Sequence, residues 1–201
     1  PGAPLPNGRG GESQMDQTSS VEELELYVEL VDAKGRSIGT MEKIAAHAHP
    51  GTLHRAFSLF LLATDGRTLL QRRASTKYHS PGVWSNTCCG HPQPGVDPAD
   101  AAAIRVFEEL GVHALDIQAA GIVKYRHEDP STGLVEHEYN HTLVGVVDGE
   151  PNANPEEVDD WFYADAAAIE RLRLHGRLSV WFHDVYRTAR STLERRSGTT
   201  W

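Results

Sequence analysis

Hydrophobic positions along the chain fall into short runs with two rhythms. LELYVELVD, beginning at Leu24, alternates as a strand does, and DAKGR after it reads as a turn. MEKIAAHAH reads as a short helical segment. RAFSLFLLAT reads as a buried strand, Asp65-Gly66 as a hairpin signal and TLLQRRA as the partner strand. PGVWSNTCCGHPQPG is broken by Pro and Gly and reads as a loop. DPADAAAIRVFEELGV is the clearest helix: Asp97 suits the N-cap, Pro98 the first helical position and Gly111 the stop. IQAAGIVKYRH and LVEHEYNHTLVGVV predict two strands joined around DPSTG, and EVDDWFYA predicts one more. Helices are expected at 166–175 and about 179–195. Strands interleave with a few helices without strict alternation, which predicts a mixed-sheet α/β (α+β) sandwich rather than a doubly wound sheet. There is no internal repeat.

Composition narrows the class. Residues 1–20 are rich in Pro, Gly, Ser and polar residues, so a disordered leader is expected there, with 21–201 as a single domain and Met15 as a candidate native start. Hydrophobic residues at 39% and charged residues at 23% are an ordinary globular balance. No apolar run approaches the roughly 20 residues that span a bilayer, and the N-terminus lacks a signal-peptide pattern, so a cytoplasmic enzyme is expected. A net charge of −9 argues against nucleic-acid or anionic-membrane binding. A small-molecule substrate is expected, with the chain a monomer or a homodimer. If that substrate is anionic, clustered Arg and Lys or metal ions must supply local positive charge. Cys88 and Cys89 are adjacent, which makes a poor structural disulfide.

Candidate chemistry concentrates in a few segments. Glu136 and Glu138 lie two apart on an expected strand and so share a face. Facing a dry core, they would need a cation or a shared proton; on a solvated face they would need nothing, with His137 and Tyr139 packed inward. Cys89 stands two residues before His91, and a thiol beside a cationic or metal-bound group is expected to have a lowered pKa. The alternative is that both cysteines are small buried hydrophobes. His47 and His54 flank a Pro-Gly turn. Counted with His91, Glu136 and Glu138, they make a donor set suited to Zn or Mn, and the short-spaced CxxC pattern of a structural zinc site is absent. On the long helix, Arg105 and Glu109 are four apart. They form either a surface ion pair or a phosphate-binding Arg beside a carboxylate for a hard cation such as Mg. QRRASTK sets Arg72, Arg73 and Lys77 before the Gly-rich loop, as a phosphoryl-binding cluster or a charge-protected edge strand.

These segments together resemble type I isopentenyl diphosphate isomerases of the Nudix superfamily. The resemblance runs from about Tyr27 to Arg187 and is carried by EKIAAHAHPGTLHRAFS, RRASTKYHSPGVWSNTCCGHPQPG, FEELGV, KYRHEDPSTGLVEHEYNH and the late Trp181. It implies a Nudix-like fold and interconversion of isopentenyl and dimethylallyl diphosphate. It implies a catalytic cysteine at Cys89, a catalytic glutamate at Glu138 and an active-site tyrosine at Tyr125. The implied metal ligands are His47, His54, His91, Glu136 and Glu138, holding one Mn2+, Zn2+ or Mg2+. Glu109 is the implied Mg2+ residue, Arg73, Lys77 and Arg105 the diphosphate ligands, and Trp181 the cation-facing tryptophan. Chemically, a carbocation intermediate calls for electron-rich aromatic faces, and Trp84 is a second candidate beside Trp181. The chain departs from the family where Val180 replaces the usual Pro before the tryptophan. Val96 and Arg105 also stand at two acidic positions of the Nudix box; an Arg at the second matches the isomerases and not a hydrolase. Three other readings stay open: a Nudix diphosphohydrolase, a non-catalytic metal-binding module, and an isomerase of a modified or longer prenyl diphosphate.

Overall fold

The computed structural model describes residues 27–77 and 79–201; the expected leader at 1–20, Met15 and the start of the Leu24 strand lie outside them. The described elements run β1 (Tyr27–Val31), β2 (Ser37–Glu42), α1 (Lys43–His47), β3 (His54–Leu62), β4 (Thr68–Arg73), β5 (Trp84–Ser85) and β6 (Cys88–Gly90). They continue with α2 (Pro98–Leu110), β7 (His113–Glu128), β8 (Val135–Asp148), β9 (Val158–Ala164), α3 (Ala166–Leu174) and α4 (Phe182–Ser197). Among the described residues no helix is long and apolar enough to cross a membrane.

β3 organises the sheet. It pairs in parallel with β8 along its whole length, and β7 adds antiparallel to β8. The other edge of β3 is shared by three partners in turn: β1 at His54, β6 over 57–59 and β4 at 61–62. β4 then turns away, taking β5 and β9 as its own neighbours. The sheet therefore forks beyond the Asp65-Gly66 hairpin, and the segment 84–90 is set into the fork. Thr87 ties the two prongs together. Its hydroxyl accepts from the Leu61 N–H at 2.8 Å and donates to the Leu69 carbonyl at 2.5 Å, while its own carbonyl accepts from Gln71 Nε2 at 2.8 Å.

Alternation along β3 assigns the two layers. Phe57, Leu59 and Leu61 pack with Val106 and Leu110 of α2, whereas Phe60 and Leu62 pack with Phe182, Val185, Ala189 and Leu193 of α4. The mixed-sheet sandwich expected from the sequence is the fold observed. The caps of α2 are also as expected: the Asp97 carboxylate accepts from Ala99 N–H at 2.8 Å, and Gly111, at φ 65°, returns its N–H to Phe107 O. Three details differ. The expected loop at 81–95 contains the short strands β5 and β6, which pair with β4 and β3 respectively. β2 shows no alternation because both its faces are largely exposed, so periodicity could not find it. The last helix begins at Phe182, after a turn in which Ser179 O accepts from Phe182 N–H.

Because Thr87 satisfies a buried N–H and a buried C=O at once, Thr87→Val should destabilise the protein by about 2–4 kcal/mol, while Thr87→Ser should cost about 1 kcal/mol or less. Urea denaturation would measure both, and a valine variant as stable as the parent would contradict the role given to this hydroxyl.

Candidate metal centre and adjoining cavity

β8 presents Glu136, Glu138 and Asn140 on one face, and all three are buried; Glu136 and Glu138 are only 4% and 6% exposed. The neighbouring His137 and Tyr139 take the opposite, more open face, where His137 Nδ1 meets Gly51 O at 3.0 Å. The solvated-strand alternative therefore has the faces reversed. Strand register does the assembling. Glu138 stands opposite His54 on β3 and opposite Tyr125 on β7, while Cys89 on β6 stands opposite Ser58 of β3. His47 enters from the last turn of α1, and His91 follows β6 directly. One donor atom from each of His47, His54, His91, Glu136 and Glu138 lies within 4.8 Å of all the others.

The hydrogen bonds around this cluster aim lone pairs inward. His47 Nδ1 donates to Lys43 O at 2.7 Å and His54 Nδ1 to Thr52 O at 2.8 Å, so in its neutral form each ring turns Nε2 inward as an acceptor. His54 Nε2 then faces His91 Nε2 at 3.2 Å, and His91 Nε2 lies 3.4 Å from Glu138 Oε1. Burial, reinforced by the neighbouring His47, lowers the pKa of His54 to about 4. Burial, with His54 beside it, holds His91 well below the ordinary histidine value. Both are neutral, which is the form that binds metal. Glu136 Oε2 is buried, makes no hydrogen bond among the described residues, and faces His47 Nε2 at 3.4 Å. Converging imidazole lone pairs and an unsatisfied carboxylate oxygen fit a divalent cation. The cluster is able to coordinate one.

Two buried carboxylates cannot both hold full charge without help. Burial and then the charge of Glu136 push Glu138 well above the carboxylate range. Burial also opposes charge on Glu136, but the His47 and His79 imidazoles outweigh it and keep Glu136 well below. The Tyr125 hydroxyl and Asn140 Nδ2 both donate to Glu138 Oε2, the latter at 3.0 Å, and burial with the Glu138 charge raises the tyrosine pKa well above normal.

The two cysteines separate as neighbours on a strand must. Cys88 packs under α2, and Cys89 turns to the α4 side, where it reaches the cavity. The expectation of a lowered thiol pKa is not met at Cys89. Burial raises it to about 12, and the opposing pull of Arg73 is the smaller effect.

A cavity of about 330 Å³ adjoins the cluster and is lined by Cys89, Tyr125, Glu138, Trp181, Arg73, Lys77, Arg105 and Glu109, among others. Arg73 lies over the Trp181 ring at 5.6 Å and donates to His79 O at 2.9 Å; Trp181 Nε1 lies 3.4 Å from Asn86 Oδ1. Glu109 is buried, its Oε1 2.9 Å from Arg105 Nε and its Oε2 accepting from Gln71 Nε2 at 2.7 Å, so this is no surface ion pair. Burial works against charge on Arg105, but Glu109 and Glu157 raise its pKa above the ordinary value. Trp84 is not brought to the cavity. Pairing of β5 with β4 seats it in the core, against Phe162 at 4.8 Å and under Arg72 at 5.9 Å. Arg72 is likewise turned away, toward Asp160. Residues not anticipated are Glu157, which ion-pairs both Lys77 and Arg105, and His79, whose Nδ1 is 2.9 Å from Glu136 Oε1. Asn140 was not anticipated either, although it continues the two-residue series 136, 138, 140; Glu157 and His79 carry no local signal.

Comparison with known proteins gives the family and the fold. The NUDIX domain family model matches residues 52–185. The chain is 51% identical over 173 residues to an isopentenyl-diphosphate Delta-isomerase of Streptomyces griseus, covering 86% of this chain and 88% of that one. It is also 51% identical to the corresponding protein of Nocardia farcinica, covering 86% and 99% of the two chains. Among solved structures, DR0079 from Deinococcus radiodurans superposes with a TM-score of 0.65 at 17% identity, over 82% of this chain and 99% of that one, which speaks for the fold alone.

With Cys89 held up near 12, its reactive thiolate is scarce at neutral pH and grows about tenfold per pH unit below the pKa. Carbamidomethylation of Cys89 in chelator-treated protein should therefore climb steadily from pH 7 to pH 10 without levelling. A plateau below pH 9, followed by peptide mass mapping, would show that burial does not control this thiol.

Proposed function

The chain belongs to the NUDIX-domain isopentenyl-diphosphate Delta-isomerases, and from that membership we propose that it interconverts isopentenyl and dimethylallyl diphosphate by protonation and deprotonation through a tertiary carbocation. The observation that carries the reading is that Cys89, Glu138 with its partner Tyr125, and the Trp181 ring all line one cavity, which Arg73, Lys77 and Arg105 also line. Moving a double bond along a five-carbon chain requires a proton delivered to the terminal carbon and another removed from the carbon beyond. Cys89 and the Glu138–Tyr125 pair act as the two proton carriers. Trp181 offers its π-face to the cation, an interaction worth about 2 kcal/mol or more when desolvated. Arg73, Lys77 and Arg105 bind the diphosphate, bringing positive charge to a protein of net charge −9.

His47, His54, His91, Glu136 and Glu138 hold one Mn2+, Zn2+ or Mg2+, a choice the mixed nitrogen and oxygen donors leave among hard and borderline ions. A divalent ion there neutralises the carboxylate pair and fixes the orientation of Glu138. Glu109, with lone pairs beyond those its protein donors use, is assigned to a Mg2+ that arrives with the diphosphate. Hydrolysis of the diphosphate is disfavoured, because a metal-activated water needs carboxylates where Val96 and Arg105 stand.

In heavy water, isopentenyl diphosphate should yield dimethylallyl diphosphate labelled at the newly formed methyl, with no phosphate or pyrophosphate released. Cys89→Ala and Glu138→Gln should each lower turnover by about 10²- to 10⁴-fold; Cys88→Ala, on the other side of the strand, should stay within about tenfold. Product NMR beside a phosphate-release assay decides the matter, and stoichiometric phosphate without labelled alkene would replace the isomerase reading with a hydrolase.

A further inference from the structure

His79 lies outside the five-residue donor set yet is built into it. Its Nδ1 donates to Glu136 Oε1 at 2.9 Å, and Asp129 Oδ2 stands 3.6 Å from its Nε2 on the far side. All three side chains are nearly inaccessible to solvent. The support behind Asp129 is extensive. Its Oδ2 accepts from the N–H and hydroxyl of Ser80 at 2.8 and 2.7 Å, and its Oδ1 accepts from the N–H and hydroxyl of Ser131 at 2.8 and 2.7 Å. Ser80 adopts φ 46°, the left-handed conformation that costs a non-glycine residue energy, and those two bonds to Asp129 hold it there. The turn that aims His79 is thus maintained against its own backbone preference.

An interior histidine needs only some acceptor, and a symmetric contact with both carboxylate oxygens would satisfy it. Here the contact is one-sided. His79 occupies Glu136 Oε1, while Oε2 is left without a hydrogen bond and directed at His47 Nε2. A buried polar atom so deprived is uncommon unless something else is meant to meet it.

We propose that His79, backed by Asp129, is a positioning residue that engages one oxygen of Glu136 and so presents the other to the metal ion. The inference rests on the metal-centre reading above. Orienting contacts behind metal ligands contribute about 10- to 100-fold to metal affinity, and the 2.9 Å contact from His79 to Glu136, with the Asp129 carboxylate 3.6 Å behind the ring, is such a contact. It differs from the usual arrangement in supporting a carboxylate ligand through an imidazole, rather than an imidazole through a carboxylate.

Mn2+ binding by the full-length chain, stripped with chelator and titrated with the metal alone, tests this without reference to turnover. His79→Leu should weaken Mn2+ binding about 10- to 100-fold, and Asp129→Asn should weaken it several-fold. His79→Asn, which restores an N–H near the Nδ1 position, should recover affinity to within about threefold of the parent. Equal affinity in His79→Leu and the parent would overturn the proposal, and so would an Asn variant as weak as the Leu variant, since the side chain would then matter only as bulk. If His79→Leu does not fold, by circular dichroism and thermal unfolding, Asp129→Asn takes its place, and unchanged affinity there overturns the proposal. A parent protein that binds no Mn2+ while His91→Ala behaves identically would instead remove the metal centre itself, a distinct result.

Discussion

Two carboxylates on one face of a buried strand set the terms for the rest of the molecule. Glu136 and Glu138 stand side by side in the interior, where like charges are costly to hold and costly to dehydrate. Every neighbour answers that cost. His54 and Tyr125 meet Glu138 from the strands on either side, His47 and His79 meet Glu136, and Asn140 continues the same face to donate to Glu138. Backbone carbonyls fix the Nδ1 protons of His47 and His54, so the lone pairs converge. Either a retained proton or a divalent cation completes the arrangement. One interior charge problem thereby gathers five donor groups able to coordinate a divalent cation.

Charge is managed in a second way where the cavity opens. Lys77 and Arg105 share the carboxylate of Glu157, and Arg105 also meets Glu108 and Glu109. These anions offset the mutual repulsion of the cationic side chains. Arg73 is arranged differently: backbone carbonyls of His79 and Ser80 hold it over the Trp181 ring. An acidic protein can thus present local positive charge to an anionic ligand while its surface as a whole stays negative. Burial acts on the acidic groups of the cavity as well, raising both Cys89 and Glu138.

Local pattern by itself determined much of this protein. Helix α2 was legible to its caps, because Asp97, Pro98 and Gly111 act within one turn of themselves. β3, β4, β7, β8 and β9 were legible from apolar runs and alternation, and the shared face of Glu136 and Glu138 followed from strand geometry alone. Residue types alone suggested the donor set of His47, His54, His91, Glu136 and Glu138, and resemblance across several ordered motifs implied the same five. Tertiary structure decided what sequence spacing cannot carry. β5 and β6 read as loop, because the partners that make them strands are supplied by a fork between β3 and β4. Trp84 read as a site aromatic and is a core residue, since pairing with β4 turns it toward Phe162. The direction of the Cys89 pKa depends on how much water burial removes, which outweighs the nearby Arg73. His79 and Glu157 had no periodicity or motif to mark them. Their importance lies in contacts across 57 and 80 residues of chain, to Glu136 and Lys77 respectively, and only packing brings those atoms together.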